Sequence, residues 1–294
     1  MIRYPIAPEE LRRRIREKVP DWLGRAQTKT EAFRQAGKYA EKSEESIWGE
    51  IKEVFLEIQH EKCAYRERKL ASRQYGLVEH DVEHYRPKNA VKKWPSKSIA
   101  KKRKLAYDFP TGEAFAAGYY LLAYQILNYT TSCATCNRPL KSNYFPISGS
   151  RGQPSDDPST LQGEGPFLPH PVGEMDEDPE EILTFLGITA VPKSQDPQRK
   201  RRAQVTIDFF ALNEREELRY QRAERILDLW IILEGLRQGN EETRQLAERA
   251  LKTKLSSASA HTSCARAFVD LYRRDRSRAK ELADAALEYL DGQS

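Results

Sequence analysis

The chain has 294 residues, 32% of them charged and 39% apolar, with a formal net charge of +5. This composition excludes a membrane-spanning chain, because the longest apolar runs (residues 114–117 and 119–124) fall far short of the roughly 20 residues a bilayer span needs. Four cysteines, two of them spaced as Cys133-x-x-Cys136, point to metal binding in a reducing cytoplasm rather than to a disulfide framework, and the start M-I-R-Y-P lacks the apolar core of a signal peptide.

Residues 1–60 read as a helical layer. Apolar residues recurring among many charges predict helices over 9–22 and 30–59, with Trp48, Ile51, Phe55 and Ile58 at helical spacing. A stripe of this kind is expected in a core, so Trp22, Tyr39 and Trp48 are read as core anchors rather than as stacking platforms.

At Lys62 the pattern breaks into short segments. Residues 75–78 and 81–86 predict the two short strands of a ββα unit, with Pro87 blocking further pairing. Glu83 and His84 set a carboxylate beside an imidazole, groups that can hold a hard divalent cation and supply a base. A regular strand points neighbours to opposite faces, so serving one metal requires a bulge or a turn there. Glu79 and His80 form a rival pair. Residues 88–104 carry Lys88, Lys92, Lys93, Lys97, Lys101, Lys102, Arg103 and Lys104 and no acid, which predicts an arm that tracks phosphates, with Trp94 pinning the loop.

Residues 113–127 predict a helix leading into Asn128, a residue suited to a C-cap. Cys133 and Cys136 have knuckle spacing for zinc, and residues 137–143 begin the α element. The amide oxygen of Asn137 suits Mg²⁺ or Mn²⁺ better than a soft metal, with Asn143 as the alternative ligand. Lys141, four residues on, falls on the same helical face and is placed to neutralise a phosphate. Residues 147–179 are a connection rich in Gly, Pro, Ser and Asp, in which Glu174, Asp176, Glu177 and Asp178 form a solvated turn before a helix or strand over 180–185. From Arg199 onward helices are expected, the later ones over 215–236, 241–255 and 261–290, with Leu218, Ile226, Leu229 and Trp230 as an apolar stripe and Cys264 as a small buried hydrophobe. The fold class is α+β and predominantly α-helical. It divides into a helical layer (1–60), a core (61–150) with its basic insertion (88–104), a connection (151–198) and a helical module (199–294).

At Glu83, His84, Asn128 and Asn137 the chain resembles the HNH endonucleases, whose ββα-metal core carries His, Asn and His or Asn in that order. The succession E-H-Y-R-P-K, G-Y-Y-L-L-A-Y, N-x-x-x-x-C-x-x-C-N-R-P-x-K-x-N-x-F-P and D-P-E-E-x-L-T-F is similar to the HNH proteins of bacterial antiphage defence, of the Septu and retron-associated type. The resemblance implies a ββα-metal core between N- and C-terminal helical regions. It also implies a metal-dependent endonuclease, DNA favoured, acting as a defence effector under an ATPase partner. His84 is then the base, because R-P-K follows the catalytic histidine in the family pattern. Asn128 holds the loop bearing that histidine through its amide, and Glu83 and Asn137 hold Mg²⁺ or Mn²⁺. Arg86, Lys88, Lys101, Lys102, Arg103 and Lys104 are the expected nucleic-acid contacts. A catalytically inactive, nucleic-acid-binding adaptor with the same fold is the rival, whereas a plain zinc-ribbon module leaves E-H-Y-R-P-K unexplained.

The related proteins often carry C-x-x-C twice, and four thiolates close a tetrahedral zinc site. Here the first knuckle is Cys63-Ala64-Tyr65-Arg66, so a permanent cation replaces one ligand. Two outcomes stand: weakened or absent zinc, which is the expectation, or a site of Cys63, Cys133 and Cys136 completed by His60, with Arg66 turned to an acid such as Glu67. His170 stands where the related proteins usually carry an acid before proline, and no role follows from that.

Overall fold

The computed structural model describes residues 1–70 and 79–292. The chain is α+β and predominantly helical, with a pair of two-stranded sheets among the described residues. No helix among those residues is long and apolar enough to cross a membrane. The chain divides into two compact units, one of Arg3–Ala64 with Leu70–Glu177 and one of Met1–Ile2, Tyr65–Lys69 and Asp178–Ser294.

In the first unit, α1 (Pro8–Lys18) has Pro8 in its first turn, where a missing N–H costs nothing, and Glu9 and Glu10 at the positive end of its dipole. α2 (Trp22–Ala36) stops at Gly37, whose φ of 66° is the left-handed conformation that a helix end favours in glycine. The helix expected over 30–59 therefore breaks. It resumes only after a 3₁₀ turn at Trp48–Ile51, as α3 (Lys52–Ile58). Trp22 and Phe55 are fully buried and meet Tyr129 edge-on, with ring centroids 6.4 and 5.8 Å away.

The sheet of this unit pairs β1 (His80–His84) with β2 (Tyr129–Cys133) in antiparallel register, His80 opposite Cys133 and His84 opposite Tyr129. The strand expected at residues 75–78 lies outside the described residues, and the partner of β1 comes from far along the chain. β2 is buried throughout. Its other edge is closed by Gln59, which accepts from the Thr131 amide at 2.7 Å and donates to the Thr131 carbonyl at 2.8 Å, as a neighbouring strand would.

The helix expected over 113–127 is replaced by 3₁₀ turns at Tyr120–Leu122 and Ile126–Asn128. Phe115 pairs with Val91 in an isolated bridge, and Gly118 (φ 63°) lies so close to Asn89 that a Cβ there would sit 2.2 Å from its carbonyl oxygen. Both contacts demand non-helical backbone. The expected α element after Cys136 is a π-helical turn, Cys136–Lys141, because Pro139 inside it has no N–H to give a regular ladder. Within the basic insertion, α4 (Lys97–Arg103) is capped by the Ser96 hydroxyl, which accepts from the Ile99 amide, and buries none of its residues.

In the second unit, α5 (Pro179–Ile182) leads into a hairpin of β3 (Leu183–Leu186) and β4 (Thr189–Pro192), with Gly187 at φ 58° in the turn. α6 (Pro197–Phe209), α7 (Glu216–Gln238), α8 (Glu241–Leu255), α9 (Thr262–Arg274) and α10 (Arg276–Asp291) follow. The single helix expected over 261–290 is split at Asp275, whose carboxylate caps α10 by accepting from the Arg278 amide. Ile226, Leu229 and Leu233 of α7 pack with Phe268 and Val269 of α9 and with Ala279, Ala283 and Ala286 of α10. Trp230 and Cys264 join the same cluster.

Candidate active site

β1 ends at His84, and its regular ladder places Asp81 and Glu83 on one face by the two-residue period of a strand. No bulge separates Glu83 from His84; the ladder is regular through both. Even so, Asp81, Glu83 and His84 border one cavity of about 550 Å³, together with Trp48, Lys52, Lys88, Asn137 and Asn143.

The ring of His84 is buried edge-on between Trp48 and Tyr129, at 5.0 and 5.1 Å between centroids. Its Nε2 lies 3.0 Å from the carbonyl oxygen of Ala123. A carbonyl only accepts, so Nε2 carries the proton and Nδ1 keeps its lone pair. Burial first, then the positive charge of Lys88, holds the imidazole well below its ordinary pKa. His84 is therefore neutral at physiological pH and fixed in one tautomer.

Asn128 stands behind this histidine. Its Oδ1 accepts from the Arg86 amide at 2.8 Å, and its Nδ2 donates to the carbonyls of Arg86 and Leu122 at 3.0 and 3.2 Å. One side chain thus ties the chain leaving β1 to the turn entering β2. Tyr129 donates its hydroxyl to the same Ala123 carbonyl that receives His84, which fixes the acceptor as well.

Glu83 faces the π-helical turn. Lys141, fully buried, places its Nζ 3.3 Å from Glu83 Oε1 and 3.3 Å from the carbonyl oxygen of His84. Burial pushes the Glu83 carboxyl up to about 7 against the pull of Lys141, and pushes Lys141 down. Asn137 donates its Nδ2 to Asp81 Oδ2 at 3.1 Å, which leaves Oδ1 as its ligand atom. Arg138 pairs with both oxygens of Asp81, at 3.1 and 3.3 Å. Two carboxylates and an amide oxygen suit a hard divalent cation, which is commonly held by one or two carboxylates plus water and phosphate oxygens.

Like Lys52, Asp81 is a site residue that sequence reasoning missed. The signal was present in its position two residues before Glu83 on a predicted strand, which puts both acids on one face.

The remaining expected contacts scatter. Lys88 borders the cavity, its Nζ 4.3 Å from the centroid of the Trp48 ring. Lys101, Lys102, Arg103 and Lys104 sit on and just after α4, outside the residues that border the cavity. Arg86 is buried, ion-paired with Glu164 at 3.1 Å and donating to the Leu161 carbonyl at 2.9 Å. The rival His80 opens β1, and its carbonyl accepts from Lys52 Nζ at 2.9 Å. His170 is buried against Tyr85, with its pKa lowered to about 4 mainly by burial.

A second cluster lies at the far end of the same strand pair. The sulfurs of Cys63, Cys133 and Cys136 lie within 4.8 Å of one another, all buried, a geometry that can bind a metal. Hydrogen bonding with Cys133 and Cys63, then burial, raises the Cys136 thiol well above its ordinary value. His60 is exposed and is not part of this group. Arg66 meets Glu217 at 3.4 Å, while Glu67 holds the N-terminal ammonium and Ser263.

The fold and site define an α+β chain with a paired-strand histidine pocket and a three-thiol cluster. Over 197 residues the chain is 30% identical to a Septu protein, PtuB, of Bacillus mycoides (strain KBAB4), a match covering 66% of this chain and 56% of the relative. The chain thus spans little more than half the length of that relative. No protein-family model matches the chain, and no solved structure does.

Proposed function

We propose that this chain is a metal-dependent HNH-type endonuclease, DNA favoured, that serves antiphage defence. The observation that carries the reading is the bare Nδ1 of a neutral, immobilised His84 in a cavity bordered by Asp81, Glu83 and Asn137. Nδ1 takes a proton from water as the water oxygen bonds to phosphorus. The bond from phosphorus to the 3′ oxygen then breaks, and that oxygen takes a proton from solvent. Lys52 and Lys88 add positive charge on the cavity wall for the phosphate. Glu83 and Asn137, with Asp81 beside them, would hold a Mg²⁺ or Mn²⁺ ion, which when bound supplies Lewis-acid neutralisation of phosphate charge. Among the described residues no fourth His, Cys, Asp or Glu joins the three thiols, so tight structural zinc is not part of the proposal. An ATPase partner belongs to the reading through the motif resemblance alone.

One observation favours the adaptor reading. Lys141 already gives Glu83 a cation, so a chain that never binds a metal also keeps this site balanced. Nicking of supercoiled plasmid separates the two. Wild-type protein with Mg²⁺ or Mn²⁺ should nick, chelation should stop it, and His84→Ala should lower the rate by about 10²–10⁴-fold, the usual worth of a positioned base. Nicking that persists in His84→Ala, or is absent from wild type with either metal, sinks the proposal.

A further inference from the structure

We infer that Tyr39, Trp48 and Lys88 form a subsite for one unstacked nucleotide of single-stranded nucleic acid beside the His84 cavity, an inference that rests on the endonuclease reading above. A second cavity of about 450 Å³ is bordered by Tyr39, Glu41, Trp48, Lys88 and Asn89. It shares Trp48 and Lys88 with the cavity of His84, so the two are neighbours through common walls.

The chemistry of this second cavity matches the two halves of a nucleotide. Trp48 and Tyr39 are half-buried aromatic rings, and the ammonium of Lys88 lies 4.3 and 5.4 Å from their centroids. Among the described residues Lys88 makes no ion pair, and its cation rests on π faces alone. A phosphate can draw that cation off the rings, which frees the faces it covers for a base.

The acid at the rim does not oppose this. One oxygen of Glu41 is ion-paired with Lys29, and the other accepts from the hydroxyls of Tyr39 and Tyr124. Both rings are also braced by aromatic neighbours. Phe33 packs on Tyr39 at 5.0 Å, and Tyr124 and the edge of His84 pack on Trp48 at 5.6 and 5.0 Å. Rings held in place lose little freedom when a base stacks on them. Bases inside a duplex keep their faces against one another, so the subsite selects a strand whose base is free.

Binding of a short fluorescein-labelled single strand, followed by anisotropy without divalent cation, tests this. Tyr39→Ala should bind about tenfold more weakly, within the range for loss of one base–aromatic stack, while Tyr39→Phe should bind as wild type does. A strand of the same length carrying abasic sites should bind wild type more weakly, and Tyr39→Ala should lose correspondingly less on the same change. This arm needs only folded wild-type protein to fail. Equal binding of ordinary and abasic strands by wild type, or unchanged binding by folded Tyr39→Ala, overturns the subsite and leaves the endonuclease reading standing. Wild type that binds no single strand also overturns the subsite, and only failure of metal-dependent plasmid nicking overturns the endonuclease reading.

Discussion

The unit holding the candidate site and the helical unit from Asp178 onward bury different things. In the helical unit α7, α9 and α10 close on Leu, Ile, Phe, Val and Ala, the buried Arg222 donates to the backbone carbonyls of Ile188 and Leu212 rather than to an acid, and ion pairs such as Arg276 with Glu234 remain partly in water. In the site unit Lys141, Glu83, Arg86, Glu164 and Asn128 are themselves part of the interior. An apolar interior holds by area, and loss of one polar partner is cheap there. An interior of charges holds only while every partner is present, since a buried charge left alone costs several kcal/mol. The site unit has given up tolerance for fixed geometry.

The sharpest test of that contrast is Glu164→Ala. The carboxylate is 2% exposed, pairs with Arg86, and accepts from the Tyr119 hydroxyl at 2.9 and 3.0 Å and from the Gly152 amide at 2.9 Å. Removing it strands the Arg86 guanidinium and should cost about 3–5 kcal/mol in urea unfolding. A loss under about 1 kcal/mol, the value of a surface pair, would erase the distinction between the units.

A smaller effect concerns His261 in the helical unit. Burial above all lowers its pKa from the ordinary 6.5 to about 3, and its Nε2 lies 2.9 Å from Gln221 Oε1. The folded chain refuses a proton that the unfolded chain accepts, so the stability contribution is complete above pH 6.5 and shrinks as pH falls toward 3. The slope is about 1.4 kcal/mol per pH unit for one proton. His261→Gln should remove one proton's worth of that slope between pH 6 and 4 (roughly the window between the two pKa values). Denaturation curves with parallel pH dependence for both proteins would show that His261 titrates alike folded and unfolded.

The least change is expected at Arg276→Ala. Its guanidinium reaches both Glu234 oxygens at 2.7 Å, but the side chain is 40% exposed. The expected loss is too small to move the urea midpoint measurably, and added salt should erase what there is. A loss like that of Glu164→Ala would mean that the helical unit also depends on its charges.

Much of the site's cast was legible in the residues, because short motifs keep their spacing wherever the fold carries them. His84, Asn128, Asn137 and the cysteine pair could be named from order alone. Their partners could not, since β1 pairs with a strand that begins at Tyr129 and no local period announces such a pairing. The helix expected over 113–127 failed for a tertiary reason: Gly118 packs backbone to backbone against Asn89, which sequence periodicity does not register. Trp48 was assigned to the stripe of Ile51, Phe55 and Ile58, and those three are buried. Trp48 itself opens a 3₁₀ turn, which advances about 120° per residue rather than 100° and so carries it off the stripe toward the cavity. Arg86, counted among the nucleic-acid contacts, sits in a buried pair, because nothing in a lone arginine codon tells a phosphate from an interior glutamate.

The amide of Asn128 has a consequence for how such a chain can change over generations. By tying residue 128 to residue 86 it turns residues 87–127 into a closed excursion whose two ends are held together independently of its length. Closing a longer excursion costs only about 0.6 kcal/mol for each doubling, so lineages can lengthen or shorten this stretch cheaply. A single residue gained or lost within residues 80–84 is different, because it would turn Glu83 and His84 to each other's faces. Insertions and deletions among diverging copies should therefore collect between the clamp's two anchor points and spare the strand beside them.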